Sequence, residues 1–125
     1  MAVESSPEPQ GALVYNDGMD EQEFRRRADA ALEALKTALI AAEEEAGIEV
    51  EEQAGALHIS FEEPPARFVI SPNAAARQIW ISALSTSFKL DPAEDGFVLA
   101  KTGESLKRLV ARLIGEQTGG EPVTL

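Results

Sequence analysis

The stretch IEVEEQAGALHISFE, residues 48–62, alternates apolar and polar residues on both sides of Ala54-Gly55. Since successive side chains of a β-strand point to opposite faces of the sheet, this period of two predicts two strands, each with one apolar face. The Ala54-Gly55 pair suits the turn that joins them. The stretch therefore predicts an antiparallel hairpin with one face buried and the other face in water.

The same alternation continues downstream of the hairpin. Pro64-Pro65 ends the second strand, because proline cannot donate to a strand ladder. Further along, Ile79 and Ile81 share the apolar face of the strand that contains Trp80. In all, about six short antiparallel strands are predicted, over residues 48–51, 57–61, 67–71, 77–83, 88–90 and 97–99.

A helical period of 3.6 residues precedes the strands, from about Asp20 to Glu45. The Ala-rich composition of this segment and its lack of Gly and Pro favour one long helix. Asp17 or Asp20 can cap its N-terminus, and Gly47 ends it. Its single apolar stripe consists of Phe24, Ala28, Ala31, Leu32, Leu35, Leu39 and Ala42.

A second helix is predicted after the strands. Thr102 can cap it, and Glu104 is favourable in its first turn because a carboxylate there is attracted to the positive end of the helix dipole. Gly119-Gly120 begins the polar segment that follows. The apolar stripe of this helix consists of Leu106, Leu109, Val110, Leu113 and Ile114.

Each predicted helix has one apolar stripe and each strand has one apolar face. These surfaces are buried together when both helices pack on the same face of the sheet. The sequence therefore predicts an α+β fold, a two-layer αβ sandwich of about six antiparallel strands with N- and C-terminal helices on one face. We expect one domain over residues 19–118, a flexible N-terminal segment over residues 1–18 and a short C-terminal tail over residues 119–125.

The charge balance excludes several classes of partner. The chain has 22 Asp and Glu against 11 Lys and Arg, for a net charge of −11. Such a surface repels the phosphate backbone of nucleic acids and anionic lipid headgroups. We therefore expect no nucleic-acid and no membrane partner, and we expect metal cations or basic protein surfaces instead.

The sequence lacks the residue combinations that conventional enzyme active sites use. The chain has no cysteine, which excludes disulfides, thiolate chemistry and an iron–sulfur cluster held by the chain itself. Its one histidine, His58, lies on a strand, where an ordinary surface role is the usual one. No phosphate-binding loop or nucleophile elbow is present. The sequence therefore predicts a protein that is not an enzyme.

No apolar run approaches the about 20 residues that a transmembrane helix needs. The first 18 residues also lack the apolar core of a signal peptide and the Arg-rich, acid-poor character of a transit peptide. We expect a soluble cytoplasmic protein.

Trp80 is the exception on the predicted water-facing side of the sheet. Since Ile79 and Ile81 point to the helices, alternation turns Trp80 outward. An exposed tryptophan in mid-sheet is a candidate anchor for a protein partner. The alternative is a cross-strand cover, with the indole lying over Val69 or over an arginine stem.

Carboxylates are dense between residues 43 and 52. Their oxygens suit hard cations such as iron, manganese, calcium or magnesium. Three consecutive acids at a helix C-terminus also oppose the helix dipole, which a bound cation would relieve. The alternative is a solvated acidic face that keeps the protein in solution. Because no ordered ligand spacing is present, we expect any metal binding to be loose and exposed.

Several segments together resemble the frataxin family, in order and with similar spacing over about residues 20–118. The most specific is Gln78-Ile79-Trp80-Ile81-Ser82, which is similar to the Gln-Ile/Val-Trp-Leu strand of that family. The others are residues 23–29, 48–51 with 55–61, 88–91 and 102–106.

This resemblance implies the frataxin fold and a role in iron–sulfur cluster assembly. It implies weak, surface-exposed binding of iron (Fe²⁺ or Fe³⁺) and docking on the complex of cysteine desulfurase and iron–sulfur scaffold protein, either as a monomer or as oligomers driven by iron. The implied metal residues are Glu21, Glu23, Glu43, Glu44, Glu45, Glu49 and Glu51. The implied partner-binding residues are Asn73, Gln78, Trp80, Ser82 and Lys89.

The chain departs from the family pattern at two places. The second half of the first helix has Lys36, Thr37, Ile40 and Ala41 where the family usually has acids. The family's Asn-Lys/Arg-Gln before the tryptophan strand is replaced by Ser71-Pro72-Asn73. Two other functions stay open: a metal-independent acidic interaction module, and a ferroxidase or iron-storage protein.

Overall fold

The computed structural model describes residues 20–62, 65–94, 96–120 and 123–125. The predicted flexible segment 1–18 and the alternative cap Asp17 lie outside these residues. The helices are α1 (Glu21–Ala41), α2 (Glu43–Ala46) and α3 (Leu106–Thr118). The strands are β1 (Ile48–Gln53), β2 (Ala56–Glu62), β3 (Pro65–Asn73), β4 (Gln78–Ala83), β5 (Thr86–Ala93), β6 (Gly96–Leu99) and β7 (Glu104–Ser105).

Helix α1 begins where its cap was predicted. The side chain of Asp20 accepts a hydrogen bond of 2.8 Å from the backbone N–H of Glu23, which satisfies one of the free amides of the first turn. The predicted end differs, because the helix is interrupted at Ala42 before the single turn of α2. Gly47 then stops the helical run in a left-handed conformation with φ 69°, as expected for a helix C-cap.

The sheet is antiparallel throughout, and its strands follow one another in chain order from β1 to β7. It has one strand more than predicted, because Glu104 and Ser105 pair with Leu99 and Val98 of β6. Two residues are too short a run to show an alternating pattern in the sequence. The register confirms the predicted hairpin, in which Val50 lies opposite Ile59.

The predicted cap of the second helix is wrong. Ser105, not Thr102, caps α3, and its side chain accepts a hydrogen bond of 3.3 Å from the N–H of Arg108. Thr102 belongs instead to the turn before β7, where its hydroxyl accepts from the N–H of Glu104 at 3.1 Å. A Ser/Thr hydroxyl serves either a turn or a helix cap, so the sequence pattern alone did not separate the two uses.

One hydrophobic core lies between the helices and the sheet. Phe24, Leu35 and Leu39 of α1 are fully buried in it. From the sheet, Ile79 of β4 is fully buried and Ile81 is 1% exposed. The predicted stripe of α3 belongs to the same core, so both helices cover one face of the sheet as expected. Val123 and Leu125, in the segment predicted as a tail, also pack against this core.

Among the residues that the structure describes, no helix has the length and apolarity that a membrane crossing requires.

Glu104 and Arg112 join β7 to α3. The guanidinium of Arg112 donates to both carboxylate oxygens of Glu104, at 2.7 and 2.9 Å, and also to Glu116 at 2.6 Å. This contact holds the pKa of Glu104 below its ordinary value of 4.5. Because the pair is bidentate, it restricts the relative orientation of the Glu104 and Arg112 side chains.

The lowered pKa predicts an acid-dependent loss of stability. Because the carboxylate is favoured in the folded state, its contribution is present above the pKa of the unfolded chain and is lost as the pH falls through the folded-state pKa. We expect Glu104→Gln to lower the free energy of unfolding by about 1 kcal/mol at pH 7. Urea unfolding should show this difference shrinking below about pH 4. Glu116→Gln, at the exposed partner of Arg112, should have a smaller effect; a Glu104→Gln deficit independent of pH would contradict the ion pair.

Candidate functional site

The sheet face opposite the helices carries the tryptophan that alternation turned outward. Trp80 is 36% exposed, whereas its neighbours Ile79 and Ile81 are buried. In the strand register it lies between Ser71 of β3 and Lys89 of β5. The predicted orientation is therefore present in the structure, with the indole on the open face.

The indole is held in place by its neighbours. Its Nε1–H donates to Oε1 of Gln78 at 2.9 Å, and Nε2 of Gln78 donates in turn to Oδ1 of Asp91 at 2.9 Å. The Nζ of Lys89 lies 4.9 Å from the centroid of the ring, within the range of a cation–π contact. An aromatic side chain fixed in this way loses little conformational entropy when it docks.

The other predicted partner-binding residues share this face. Ser82 is exposed and lies two residues along β4 from Trp80, while Asn73 pairs with Gln78 in the register. The side-chain oxygen of Asn73 accepts from the N–H of Ala76 at 2.9 Å and so holds the turn into β4. We call this set, Asn73, Gln78, Trp80, Ser82 and Lys89, the Trp80 surface.

Sequence reasoning missed Asp91, which anchors Gln78 from the next strand. Alternation could have found it, because Asp91 is two residues from Lys89 on β5 and so shares its face. Alternation does not predict the two hydrogen bonds that link Asp91 to Gln78 and Gln78 to the indole of Trp80.

The predicted metal residues fall into two groups. Glu21 and Glu23 stand at the start of α1, and we call them the N-terminal acidic pair. Glu43, Glu44, Glu45, Glu49 and Glu51 follow its end, and we call them the β1-side acidic group. At 1.5 Å per residue, the 20 residues from Glu23 to Glu43 separate these two carboxylates by about 30 Å. β1 then runs back along α1, since Lys36 contacts Glu52. Glu21 and Glu23 are therefore too far from Glu43 to bind the same ion.

The N-terminal acidic pair is already neutralised by arginines of the same helix. Arg25 contacts Glu21 at 2.7 Å, and Arg27 contacts Glu23 at 2.9 Å, with Arg26 on the other oxygen of Glu23. The hydrogen bond from Arg25 lowers the pKa of Glu21. Carboxylates paired in this way attract a cation less than free ones do.

The β1-side acidic group is more open, except at Glu43. The Oε2 of Glu43 accepts a hydrogen bond of 2.9 Å from the backbone N–H of Val50, so this carboxylate links α2 to β1. Glu44, Glu45 and Glu49 are exposed, and Glu51 accepts from Gln53 at 3.3 Å. Within the described part of the chain, no three His, Cys, Asp or Glu side chains are grouped closely enough to hold a metal ion.

Lys36 of α1 reaches toward β1. It is one of the positions at which the sequence departs from the family pattern. Its Nζ contacts Oε1 of Glu52 at 2.9 Å, and this hydrogen bond raises the pKa of the lysine. The pair borders a groove of about 250 Å³ that Asp29 and Glu33 also line. The lysine thus supplies a positive charge of the chain's own among three carboxylates.

The Glu43 contact can be tested by hydrogen exchange. β1 is the edge strand of the sheet, so the N–H of Val50 depends on the carboxylate for its partner. Since a hydrogen bond to a charged group is worth about 1.5 kcal/mol or more, Glu43→Ala should speed exchange of this amide about tenfold. Glu44→Ala is the matched control and should leave the rate unchanged. Equal rates in both variants would show that the contact gives no protection.

Comparison with known proteins agrees with this geometry. Residues 17–120 match the family model described as a frataxin-like domain. The protein of Azotobacter vinelandii named "Iron-sulfur cluster assembly protein CyaY" is 34% identical over 76 residues, which are 59% of this chain and 68% of that protein. The protein of the same name from a Janthinobacterium species is 24% identical over 109 residues, 86% of this chain and 96% of that protein.

A solved structure shows the same fold. The frataxin of Psychromonas ingrahamii, studied as a model of stability within the CyaY family, matches with a TM-score of 0.65 at 17% identity, over 83% of this chain and 96% of that one. The family model covers most of the chain, and the order of N-terminal helix, antiparallel sheet and C-terminal helix matches the frataxin fold. The chain belongs to the frataxin-like family, of the bacterial CyaY type.

Proposed function

We propose that this protein takes part in iron–sulfur cluster assembly as a docking protein without catalytic activity of its own. Its partner is the complex of cysteine desulfurase and scaffold protein, and iron is its weakly held cargo. Family membership supports the process, since both named relatives are iron–sulfur cluster assembly proteins. The fixed and exposed indole of Trp80 is the observation that carries the docking role.

Docking through the Trp80 surface follows from its chemistry. A tryptophan in the middle of an interface buries a large apolar area, and its N–H is already satisfied by Gln78. Lys89 and Asp91 border the ring, so the rim of this surface is charged. An apolar centre with a polar rim is the usual organisation of a protein–protein interface.

Long-range charge would bring the two partners together. The net charge of −11 and the exposed Glu49 and Glu51 of β1 produce a negative potential on this side of the molecule. A basic surface on the desulfurase would meet this potential during the encounter. The association rate should therefore fall as salt is added.

Iron would be held by the β1-side acidic group and not by the N-terminal acidic pair. The exposed carboxylates of Glu44, Glu45 and Glu49 suit a hard cation, while arginines already neutralise Glu21 and Glu23. The side chains do not converge on one point, so an ion bound there would keep most of its water. Loose binding of this kind permits release to an acceptor.

A pull-down with the purified desulfurase and scaffold proteins tests the docking role. We expect the complex to be retained at low salt and to be released as the ionic strength rises. No retention at any salt concentration would overturn the proposed function. Retention without any site-specific effect of iron would instead support the metal-independent interaction module.

The iron site is tested by titrating Fe(II) without oxygen and following the amide NMR spectrum. A carboxylate about 4 Å from a unit charge is worth about 1 kcal/mol in water, so Glu49→Gln together with Glu51→Gln should weaken binding of the doubly charged ion about thirtyfold or more. The matched control is Glu21→Gln with Glu23→Gln, which should leave the affinity unchanged. Equal losses in both double variants would contradict the placement of the ion.

The metal-independent module is the second candidate, favoured by Lys36. Its ammonium group occupies the groove between α1 and β1 and neutralises Glu52 there. A ferroxidase would be recognised by oxygen-dependent oxidation of Fe(II), measured on the same protein.

A further inference from the structure

The turn between β4 and β5 has an unusual backbone. Leu84 and Ser85 both adopt positive φ angles, 51° and 60°. Two-residue hairpin turns of this type favour Asn-Gly, because a residue with a Cβ atom is strained at positive φ and leucine is among the residues least suited to it. The hydroxyl of Thr86 donates to the carbonyl of Leu84 at 3.3 Å and helps to hold this conformation.

The side chain of Leu84 gains nothing from the core in return for this strain. It is 37% exposed, and it is not among the residues that pack against the core. Within the described residues, two other large hydrophobic side chains are exposed, those of Ile40 and Trp80. Ile40 belongs to the helix layer, whereas Trp80 and Leu84 belong to the same hairpin.

The part of the hairpin from Gln78 to Phe88 is also free of charge, and the first charged residue after it is Lys89. Residues 78–88 contain no Asp, Glu, Lys or Arg, although these make up 26% of the chain. Ser82 is the exposed side chain between Trp80 and Leu84, and residues 85–87, which follow Leu84, are exposed, small and polar as well. The centre of a protein interface is depleted of charge in the same way. The tip of this hairpin is therefore suited to an apolar contact area on the partner, with charged residues only around it.

The spacing allows one partner to reach both side chains. Four residues along a strand separate Trp80 and Leu84, about 13 Å at the rise of a β-strand. An interface of standard size covers about 800 Å² on each partner, a patch about 28 Å across, which is wider than this separation. The tip of the hairpin is therefore continuous with the Trp80 surface.

We propose that Leu84 is a second anchor of the docking surface, held out by the strained turn, and that it enters an apolar depression on the same partner protein that Trp80 contacts. This inference rests on the proposed function and adds to it the contribution of the hairpin tip. Strained backbone conformations cluster at functional sites, and Leu84 makes no core contact that would otherwise explain its position.

The strain makes the test specific, because relieving it should stabilise the fold while removing the anchor. Leu84→Asn should raise the melting temperature by about 4 °C, since asparagine tolerates positive φ. The same variant should weaken binding to the purified desulfurase–scaffold complex about tenfold. Binding is measured by biolayer interferometry and stability by thermal unfolding.

Two controls separate the contact from the turn. Ser85→Gly relieves strain in the same turn but keeps the leucine, and Ala54→Asn makes the equivalent change in the β1–β2 turn, where Ala54 has φ 52°. Both should raise the melting temperature and leave the affinity unchanged. Weaker binding in Leu84→Asn alone is the expected result.

Other outcomes overturn the inference. Unchanged affinity in Leu84→Asn, in a protein whose Trp80→Ala variant loses binding, would remove the second anchor and leave the proposed function intact. Equal losses in Leu84→Asn and Ala54→Asn would assign the effect to the hairpins in general. A lower melting temperature in Leu84→Asn would show that the leucine supports the fold. Absence of binding by the unsubstituted protein would overturn the proposed function, and this inference with it.

Discussion

Trp80→Ala is expected to weaken binding to the desulfurase–scaffold complex by about tenfold to a hundredfold, the range of a tryptophan hot spot. The reason is the large apolar area of the indole, which Gln78 and Lys89 already hold in one orientation. Because the ring lies on the face opposite the helices, its loss should change the melting temperature by only a few degrees. Isothermal titration calorimetry and thermal unfolding measure the two effects.

Ile40→Ala is the matched control for this experiment. Ile40 is more exposed than Trp80, 47% against 36%, but it lies on α1 in the other layer. Its removal should leave the affinity unchanged. If Trp80→Ala binds as tightly as the unsubstituted protein, with the fold intact, the tryptophan has no part in docking.

Phe24→Ala is expected to lower the free energy of unfolding by about 3–5 kcal/mol. The ring is fully buried and packs edge-on against Phe97, with centroids 5.9 Å apart, so it joins α1 to β6. Removing it leaves a cavity beneath the helix that the surrounding backbone closes only in part. Since a domain of this size has a total stability of about 5–15 kcal/mol, part of the variant should be unfolded near 37 °C.

Urea unfolding at 25 °C measures this loss, and Ile40→Ala again serves as the control, with an expected change of about 0.5 kcal/mol or less. The Trp80 surface lies on the other side of the sheet, so the folded fraction of Phe24→Ala should bind with normal affinity. A loss below about 1 kcal/mol would contradict the close packing of α1 on the sheet.

These two results would separate the two faces of one sheet. Ile79 and Ile81 point into the core, and Trp80 between them is exposed on the open face. Under the proposed function, one strand therefore serves both stability and binding. The core can tolerate little change on one side, while the open face can be altered at small cost to the fold. Substitutions on β4 should therefore divide by parity into those that unfold the protein and those that weaken binding.

Much of the fold was predictable from periodicity. Alternation around Ala54-Gly55 and along residues 77–83 predicted the strands, the buried face and the orientation of Trp80, because a period of two follows directly from strand geometry. The cap at Asp20 and the stop at Gly47 were predicted for equally local reasons.

The elements that were not predicted depend on contacts between distant residues. β7 has only two residues and exists because Glu104 and Ser105 pair with β6. Once they pair, the helix must begin after Ser105, so the cap moves there from Thr102. The interruption at Ala42 has the same kind of cause, since the turn after it carries the carboxylate of Glu43 to the N–H of Val50.

The candidate site shows the same division. Residue types alone indicated hard-cation chemistry, and alternation alone indicated an outward tryptophan. The strip of acids treated as one set is divided by the length of α1, and arginines one helical turn away neutralise its first members. The hydrogen bond from Gln78 to Asp91 on the open face was not predicted, because the two residues are 13 positions apart in the chain and meet only when β4 pairs with β5.

The sequence by itself determined the two long helices, the first six strands, which face of each is buried and that Trp80 faces outward, because these follow from local geometry and from the burial of apolar side chains. Only the tertiary structure decided which carboxylates remain available, which side chains hold the indole and that Leu84 stands exposed in a strained turn. The physical reason is that hydrogen bonds, ion pairs and turn conformations depend on groups that approach one another through folding and are far apart along the chain.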